Sequence, residues 1–94
     1  MATYIMLSRL TEDGAETLKK RPVRLQEVNK EIEGMGAKIL SQYAVLGPYD
    51  FVTIIDTQDN ETIARISIEM GSRGSVQVQT LAAIPIEKFI KGLK

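Results

Sequence analysis

The feature that most constrains the fold of this chain is the order in which strand-like and helix-like patterns follow one another. Helical apolar spacing separates the first strand-like segment from the second and the third from the fourth. The four strand-like segments cover residues 3–10, 38–46, 51–56 and 75–80, and a short amphipathic tail covers residues 85–94. With right-handed crossovers, the order β-α-β-β-α-β predicts a ferredoxin-like α+β fold, whose four-stranded antiparallel sheet carries both helices on one face.

Length and charge predict one small domain that associates with copies of itself. The chain has 94 residues, and a domain of this size buries only about 60–70% of its unfolded surface, which leaves little stability for a lone subunit. Lys and Arg number 12, as do Asp and Glu, so the formal net charge is zero. This balance removes the repulsion between copies and also the basic excess that nucleic-acid binding requires. We therefore expect a homo-oligomer without a nucleic-acid partner.

The residues that are missing exclude several kinds of chemistry. The chain has no Cys, no His and no Trp, which excludes thiol nucleophiles, disulfides, Cys/His zinc sites and a Ser–His triad within it. Any general acid or base must be Asp, Glu, Lys or Tyr, and no cofactor or metal is expected. The first residues run directly into an apolar strand pattern without a basic segment or a long apolar stretch, which predicts a cytoplasmic protein without a membrane partner.

Cap and turn residues predict where the helices begin, break and end. Thr11 or Asp13 is expected to cap the first helix, and Asp13 with Glu16 fits a capping box. Pro22 falls inside the apolar pattern of this helix, so we expect a kink or a short leading turn there. Gly71 is expected to end the second helix in the left-handed conformation.

The sheet face away from the helices is expected to form an interface. A one-sided sheet in water alternates cleanly between apolar and polar residues, whereas this chain mixes the two on the second face. We assign to that face Tyr4, Met6, Leu40, Phe51 and Ile55 together with Gln42, Thr53, Gln77 and Gln79. The residues expected to line the interface, or a cavity within it, are Tyr4, Met6, Gln42, Phe51 and Gln77.

Strand directions bring three loops to one end of the sheet. The first two strands point one way and the last two point back, so these loops share an end: residues 11–14, 47–50 and 71–75. An Asp beside an Arg can orient a Tyr hydroxyl or bind an anionic substrate. The side chains expected to bind a ligand at this end are Arg9, Tyr49, Asp50 and Arg73.

Turn chemistry offers a structural interpretation of the same loops. Gly47 and Gly71 would supply positive φ angles, and Pro48 would fix the turn. Asp50 would satisfy backbone N–H groups, and Tyr49 would pack its ring at the end of the sheet. The sequence leaves both interpretations open.

Several motifs together resemble one known family. Gly47-x-Tyr49-Asp50 before the apolar strand at residues 51–55, followed by Gly71-x-x-Gly74-x-Val76, resembles the signature of the GYD-domain family. Residues 4–8 resemble that family's first strand. These are small prokaryotic proteins of largely undefined function. The resemblance implies a dimeric α+β barrel in which two sheets close against each other, and it brings no established catalytic residue.

These observations allow three functions. The favoured one is a small-molecule-binding or assembly module, which needs only an oligomer with a partly polar interior. The alternative is a cofactor-independent enzyme of the isomerase, decarboxylase or monooxygenase type, with Asp50 or Tyr49 as the proton-transfer group in a dimeric-barrel cavity. The third is a ligand-sensing regulatory domain, although zero net charge argues against direct contact with DNA.

The C-terminal tail is expected to dock. Pro85 favours a short helix from this point, and the helix would carry apolar residues on one side. Phe89, Ile90 and Leu93 are costly to leave in water, at roughly 1.5–3 kcal/mol for each side chain that could be buried. The sequence does not indicate whether the tail packs on its own subunit or on a neighbour.

Overall fold

The strand and helix order matches the sequence prediction in the computed structural model, which describes residues 1–94. The elements are β1 (Ala2–Leu10), α1 (Glu12–Lys20), α2 (Arg24–Gly34), β2 (Ala37–Ala44), β3 (Phe51–Thr57), α3 (Asn60–Ser72), β4 (Val76–Ala83) and α4 (Ile86–Gly92). The sheet order is β2-β3-β1-β4, and every neighbouring pair of strands is antiparallel. The ferredoxin-like α+β fold is therefore confirmed.

The break at Pro22 divides the first helical segment into α1 and α2, as predicted. Thr11 is the N-cap of α1, and its hydroxyl oxygen accepts a hydrogen bond from the Gly14 N–H at 3.1 Å. The expected capping box at Asp13 is wrong, because Asp13 already lies inside the first turn. The N-cap of α1 is therefore Thr11, the residue that directly follows β1.

The glycine that reverses the chain after α3 is not the expected one. The helix continues through Gly71 to Ser72, and the positive φ of 78° belongs to Gly74. Gly47, at the tip of the β2–β3 connection, has the positive φ expected of it, 110°. A helix can pass through a glycine at modest cost, so a glycine alone does not fix the helix end.

The core lies between the sheet and the helices, on one side only. It is formed by apolar residues from three strands and two helices: Tyr4, Met6, Ile32, Ala37, Ile55, Ile63, Ile66 and Met70. Only 13 of the 94 residues are buried. This core is thin, and no element of the chain covers the other face of the sheet.

The expected assignment of residues to the two sheet faces is wrong. In the register, Tyr4 pairs with Ile55 and Met6 pairs with Thr53, and all four are buried beneath the helices. Phe51 pairs with Ser8 and lies on this same helix-covered side. Both faces of β1 and β3 carry apolar residues, so alternation separates two sets without showing which set the helices cover.

Strand β2 corrects one further residue of the expected far face, Gln42, and places another, Leu40, in a bulge. Gln42 pairs with Thr53, which places Gln42 on the helix-covered side. Leu40 falls in a register shift between Ile39 and Ser41, and it is half exposed there. A bulge inserts one residue and breaks the alternation that the assignment used.

The face without helices, called here the open face, holds the other set of side chains. It consists of Thr3, Ile5, Leu7 and Arg9 of β1, Lys38, Ser41 and Tyr43 of β2, Val52, Ile54 and Asp56 of β3, and Gln77, Gln79, Leu81 and Ala83 of β4. Of the nine residues that we expected there, Gln77 and Gln79 lie on this face. Leu40 lies in the bulge, and the other six lie on the helix-covered side.

The C-terminal tail forms the short helix α4, as predicted, but this helix buries none of its residues. Its apolar side chains are about half exposed or more: Ile86, Phe89, Ile90 and Leu93. The longest dimension of the chain is 51 Å, against 28 and 19 Å for the other two. No helix, α4 included, is long and apolar enough to span a bilayer.

Candidate functional site

The three loops expected at one end of the sheet do meet there. Leu10 of β1 pairs with Val76 of β4, and the Thr11 N–H donates to the Ser75 carbonyl at 3.0 Å. On the other side of β1, the Asp50 N–H donates to the Ser8 carbonyl at 2.8 Å. The end of β1 is therefore bonded to both neighbouring loops.

Arg9 and Tyr49 form a small cluster at a corner of the open face. The Arg9 Nε donates to the Pro48 carbonyl at 2.8 Å, and its guanidinium carbon lies 5.6 Å from the centre of the Tyr49 ring. The Tyr49 hydroxyl donates to the side-chain oxygen of Gln79 on β4. A cation over an aromatic ring contributes about 0.5–1 kcal/mol at an exposed site. The cluster ties the turn to β1 and β4.

Asp50 stands next to this cluster and has a structural partner of its own. Its Oδ2 accepts a hydrogen bond from the Leu10 N–H at 2.8 Å. This N–H lies at the end of β1, where the chain leaves the sheet. The carboxylate thereby satisfies a backbone donor at the strand end, which is the turn role that the sequence offered as one interpretation.

Arg73 is not part of this cluster, and the expectation that it joins Tyr49 and Asp50 is wrong. Its Nη1 lies 2.8 Å from Glu31 Oε2 of α2, and its Nε lies 3.3 Å from Glu69 Oε2 of α3. Arg73 directly follows α3, and its ion-pair partners both lie on helices. The guanidinium therefore lies on the helix-covered side of the sheet.

The open face has the composition of an interaction surface. Its centre is apolar and only partly covered, with Ile5, Leu7, Val52 and Ile54 at intermediate exposure. Its edges are polar and include Arg9, Asp56, Gln77 and Gln79. An apolar centre with a polar rim is the usual arrangement of a protein interface.

The charge at Arg9 is a sequence signal for this face that alternation alone does not provide. Arg9 shares its alternation with Ile5 and Leu7, and it stands at the end of β1. A charged residue is rarely buried without a partner, so it marks its set as the outward one. That signal identifies Ile5 and Leu7, and through the register Val52 and Ile54, as open-face residues.

The hydrogen bond to Asp50 gives a prediction. Asp50→Ala should lower the free energy of unfolding by about 1–2 kcal/mol, because the Leu10 N–H loses an acceptor. Asp50→Asn should lose less than half of that, since its amide oxygen can still accept the bond. Urea denaturation of both variants measures the difference. Equal losses would contradict the role of Asp50 as an acceptor at the strand end.

Together, the sheet order, the one-sided helices and the open face define a small ferredoxin-like α+β protein with an uncovered sheet surface. The family model described as "GYD domain" matches residues 4–93. The chain therefore belongs to the GYD-domain family, and the resemblance noted in the sequence is confirmed. The motif Gly47-x-Tyr49-Asp50, which carries much of that resemblance, lies at the corner beside Arg9 and Gln79.

A curated protein of Thermus thermophilus is similar along its whole length. It is 53% identical over 95 residues, and the match covers 100% of both chains. Its name is "Glutamine synthetase and cystathionine beta-lyase binding protein". This relative is thus named for binding two enzymes.

Two solved structures share the fold at low sequence identity. The hypothetical protein PHS023 from Pyrococcus horikoshii has a TM-score of 0.57 and 20% identity, with 90% of this chain and 92% of that chain covered. The protein TTHA0845 from Thermus thermophilus has a TM-score of 0.51 and 24% identity, with 90% and 95% covered. These similarities support the fold.

Proposed function

We propose that this protein is a binding and assembly module that pairs through its open face and attaches to metabolic enzymes. The observation that carries the proposal is the partly exposed apolar centre of that face. Ile5, Leu7, Val52 and Ile54 lie on a sheet surface that no element of the chain covers. Such a surface is typical of proteins that work in contact with other proteins.

The occupant that we propose for the open face is a second copy of the chain. Only 13 residues are buried in the lone subunit, so pairing two sheets would supply the missing second side of the core. The net charge of zero allows copies to approach without repulsion. An isologous pairing places the same patch on both subunits, and it agrees with the dimeric barrel implied by the family resemblance.

The partners that we propose beyond the homo-oligomer are glutamine synthetase and cystathionine β-lyase of the same organism. The support is the relative named for binding these enzymes, which is 53% identical over the full length of both chains. The proposal is for binding without chemistry on the part of this chain. An assembled module with several identical subunits can hold more than one enzyme molecule.

Sedimentation velocity tests the enzyme partners directly. The purified full chain is mixed with each enzyme from its own organism, and with an unrelated enzyme of similar mass as the control. We expect the chain to sediment with both named enzymes and not with the control. If neither enzyme carries the chain with it at an excess of enzyme, the proposed partners are wrong.

The roles of Asp50 and Tyr49 support the module over the alternative of a cofactor-independent enzyme. Such an enzyme would use Asp50 or Tyr49 for proton transfer inside a closed cavity. Asp50 accepts a backbone hydrogen bond at the end of β1, and the Tyr49 hydroxyl is bonded to Gln79 at a corner of the open face. Both polar groups therefore have structural partners.

We further propose that α4 docks on the partner subunit of the pair. The helix buries no residue against its own chain, although Phe89, Ile90 and Leu93 are large and apolar. Full burial of each is expected to contribute roughly 1.5–3 kcal/mol. In the proposed pair of subunits, the neighbouring subunit is the nearest surface on which α4 could bury these side chains.

Removal of the tail tests this docking. Truncation after Ile84 should lower the Tm by at least about 5 °C and weaken self-association, because the apolar contacts with the partner are lost. The control is Lys91→Ala in the full chain, which changes a charged residue of α4 and should leave both quantities nearly unchanged. Calorimetry at several protein concentrations provides the measurement. An unchanged Tm after truncation would mean that the tail is free.

A further inference from the structure

A small cavity lies between α1, α2 and the sheet, on the opposite side from the open face. Its volume is about 110 Å³. Its walls are mainly apolar and come from three helices and four strands, with Leu25, Val28, Met6, Phe51 and Val78 among them. Because the open face is not involved, the argument for this cavity is independent of the proposed assembly and of the enzyme partners.

The cavity contains one nearly buried hydroxyl without a partner. Ser8 is only 8% exposed, it lines the cavity, and its hydroxyl makes no hydrogen bond within the chain, in contrast to its carbonyl, which accepts from Asp50. The hydroxyl still reaches solvent, because no buried side-chain oxygen of the chain lacks a hydrogen-bond partner. A molecule that covers it would have to supply a hydrogen bond in place of water. The group therefore provides a place where an occupant would be bound by a hydrogen bond.

Three further polar side chains along the cavity wall are uncharged and bonded to one another. The Gln42 amide nitrogen donates to Asn29 Oδ1 at 3.2 Å and to Thr53 Oγ1 at 3.0 Å. The Gln42 carbonyl oxygen accepts from Asn29 Nδ2 at 2.7 Å. This network holds α2 against β2 and β3. Among the free hydroxyls of the wall, that of Ser8 belongs to a buried residue, whereas those of Thr17 and Ser75 belong to exposed residues.

Ion pairs at the rim argue against a charged occupant. Arg24 and Arg73 both contact Glu31, at 3.1 and 2.8 Å. A hydrogen bond from Arg21 is the main cause that holds the pKa of nearby Glu27 below its ordinary value, so that carboxylate is also committed to arginine. An anion would have to displace Glu31 and lose its hydration, and a cation would meet arginine, so both are disfavoured.

We infer that the cavity binds a small uncharged organic molecule with an apolar body and one hydrogen-bonding oxygen. An engineered apolar cavity of about 150 Å³ binds benzene, so a volume of 110 Å³ suits about five non-hydrogen atoms. The apolar walls would enclose the body of the molecule, and the oxygen would pair with the Ser8 hydroxyl. Short alcohols and ketones have this chemistry.

The four methionines supply a built-in measurement. Met6 and Met70 line the cavity, whereas Met1 and Met35 do not. The probe is isobutanol, and isobutylammonium is the matched charged control of equal size. In spectra of the ¹³C-labelled methionine methyl groups of the full chain, isobutanol should shift Met6 and Met70 saturably and leave Met1 and Met35 in place. Isobutylammonium should shift none of them.

Two variants complete the test. Ser8→Ala should weaken isobutanol binding about fivefold, because one hydrogen bond is lost. Val28→Leu, which adds volume to the wall, should weaken binding as well and replaces the first variant if Ser8→Ala does not fold. The inference is overturned if isobutanol causes no saturable shift, if all four methyl groups move together, if isobutylammonium acts like isobutanol, or if the folded variants bind as tightly as the original chain.

Discussion

The double substitution Leu7→Glu and Ile54→Glu is expected to convert the proposed oligomer into folded monomers. Both side chains lie at the apolar centre of the open face and are partly exposed in the lone subunit. In a pair of sheets, each glutamate would be buried without a partner, which is strongly unfavourable. In the monomer the same glutamates would be solvated, so the fold should remain. We expect association to weaken at least a thousandfold, or about 4 kcal/mol.

Two control substitutions separate loss of the interface from loss of the fold. Met6 precedes Leu7 in β1 but is buried beneath the helices, so Met6→Glu should unfold the chain. Ile68 is 75% exposed on α3, and Ile68→Glu should leave both mass and fold unchanged. Sedimentation equilibrium measures the mass, and far-UV circular dichroism measures the fold. An unchanged mass for the Leu7 and Ile54 double variant would exclude the open face as the interface.

The parts of the fold that the sequence predicted correctly are those that depend on local patterns. Strand order follows from the sequence of period-two and helical segments, and the break between α1 and α2 follows from Pro22. Proline cannot donate a backbone hydrogen bond inside a helix, and its ring limits the residue before it. Such rules act within a few residues and do not need the tertiary structure.

The choice of sheet face could not be made from alternation alone. Tyr4 and Met6 looked as suitable for an interface as Ile5 and Leu7, because both sets are apolar. Which set the helices cover depends on the handedness and packing of the connections, and the bulge at Leu40 obscured the pattern in β2. The charge at Arg9 was the residue-level evidence that separated the two sets.

The candidate site was predicted in part for a related reason. Strand direction correctly brought Arg9, Tyr49 and Asp50 to one end of the sheet, because connectivity fixes which loops are neighbours. Strand direction could not predict the side of the sheet on which a long side chain lies. Arg73 lies at the same end of the sheet, but its guanidinium group forms ion pairs with Glu31 and Glu69 on the helix-covered side.

Gly14, at the start of α1, is the glycine at which an added side chain would meet the backbone most closely. A Cβ atom added there would lie 2.0 Å from the Ser75 carbonyl oxygen and 2.9 Å from the carbonyl carbon. The same oxygen accepts the Thr11 N–H at 3.0 Å, and the Thr11 hydroxyl donates to the Gly74 carbonyl at 2.6 Å. The added Cβ atom would clash with the Ser75 carbonyl group. Because hydrogen bonds from Thr11 hold this carbonyl and that of Gly74, the turn cannot move away without breaking one of them.

Gly14→Ala is therefore expected to lower the free energy of unfolding by about 2–4 kcal/mol, from overpacking together with a lost hydrogen bond. The matched control is Gly71→Ala in α3, where an added Cβ has no atom within 4 Å. Alanine is the better helix former, so that variant should be as stable as the original or more stable by up to about 1 kcal/mol. Urea denaturation at one fixed protein concentration compares the two. If Gly14→Ala were no less stable than Gly71→Ala, the close approach of α1 to the turn before β4 would not exist in solution.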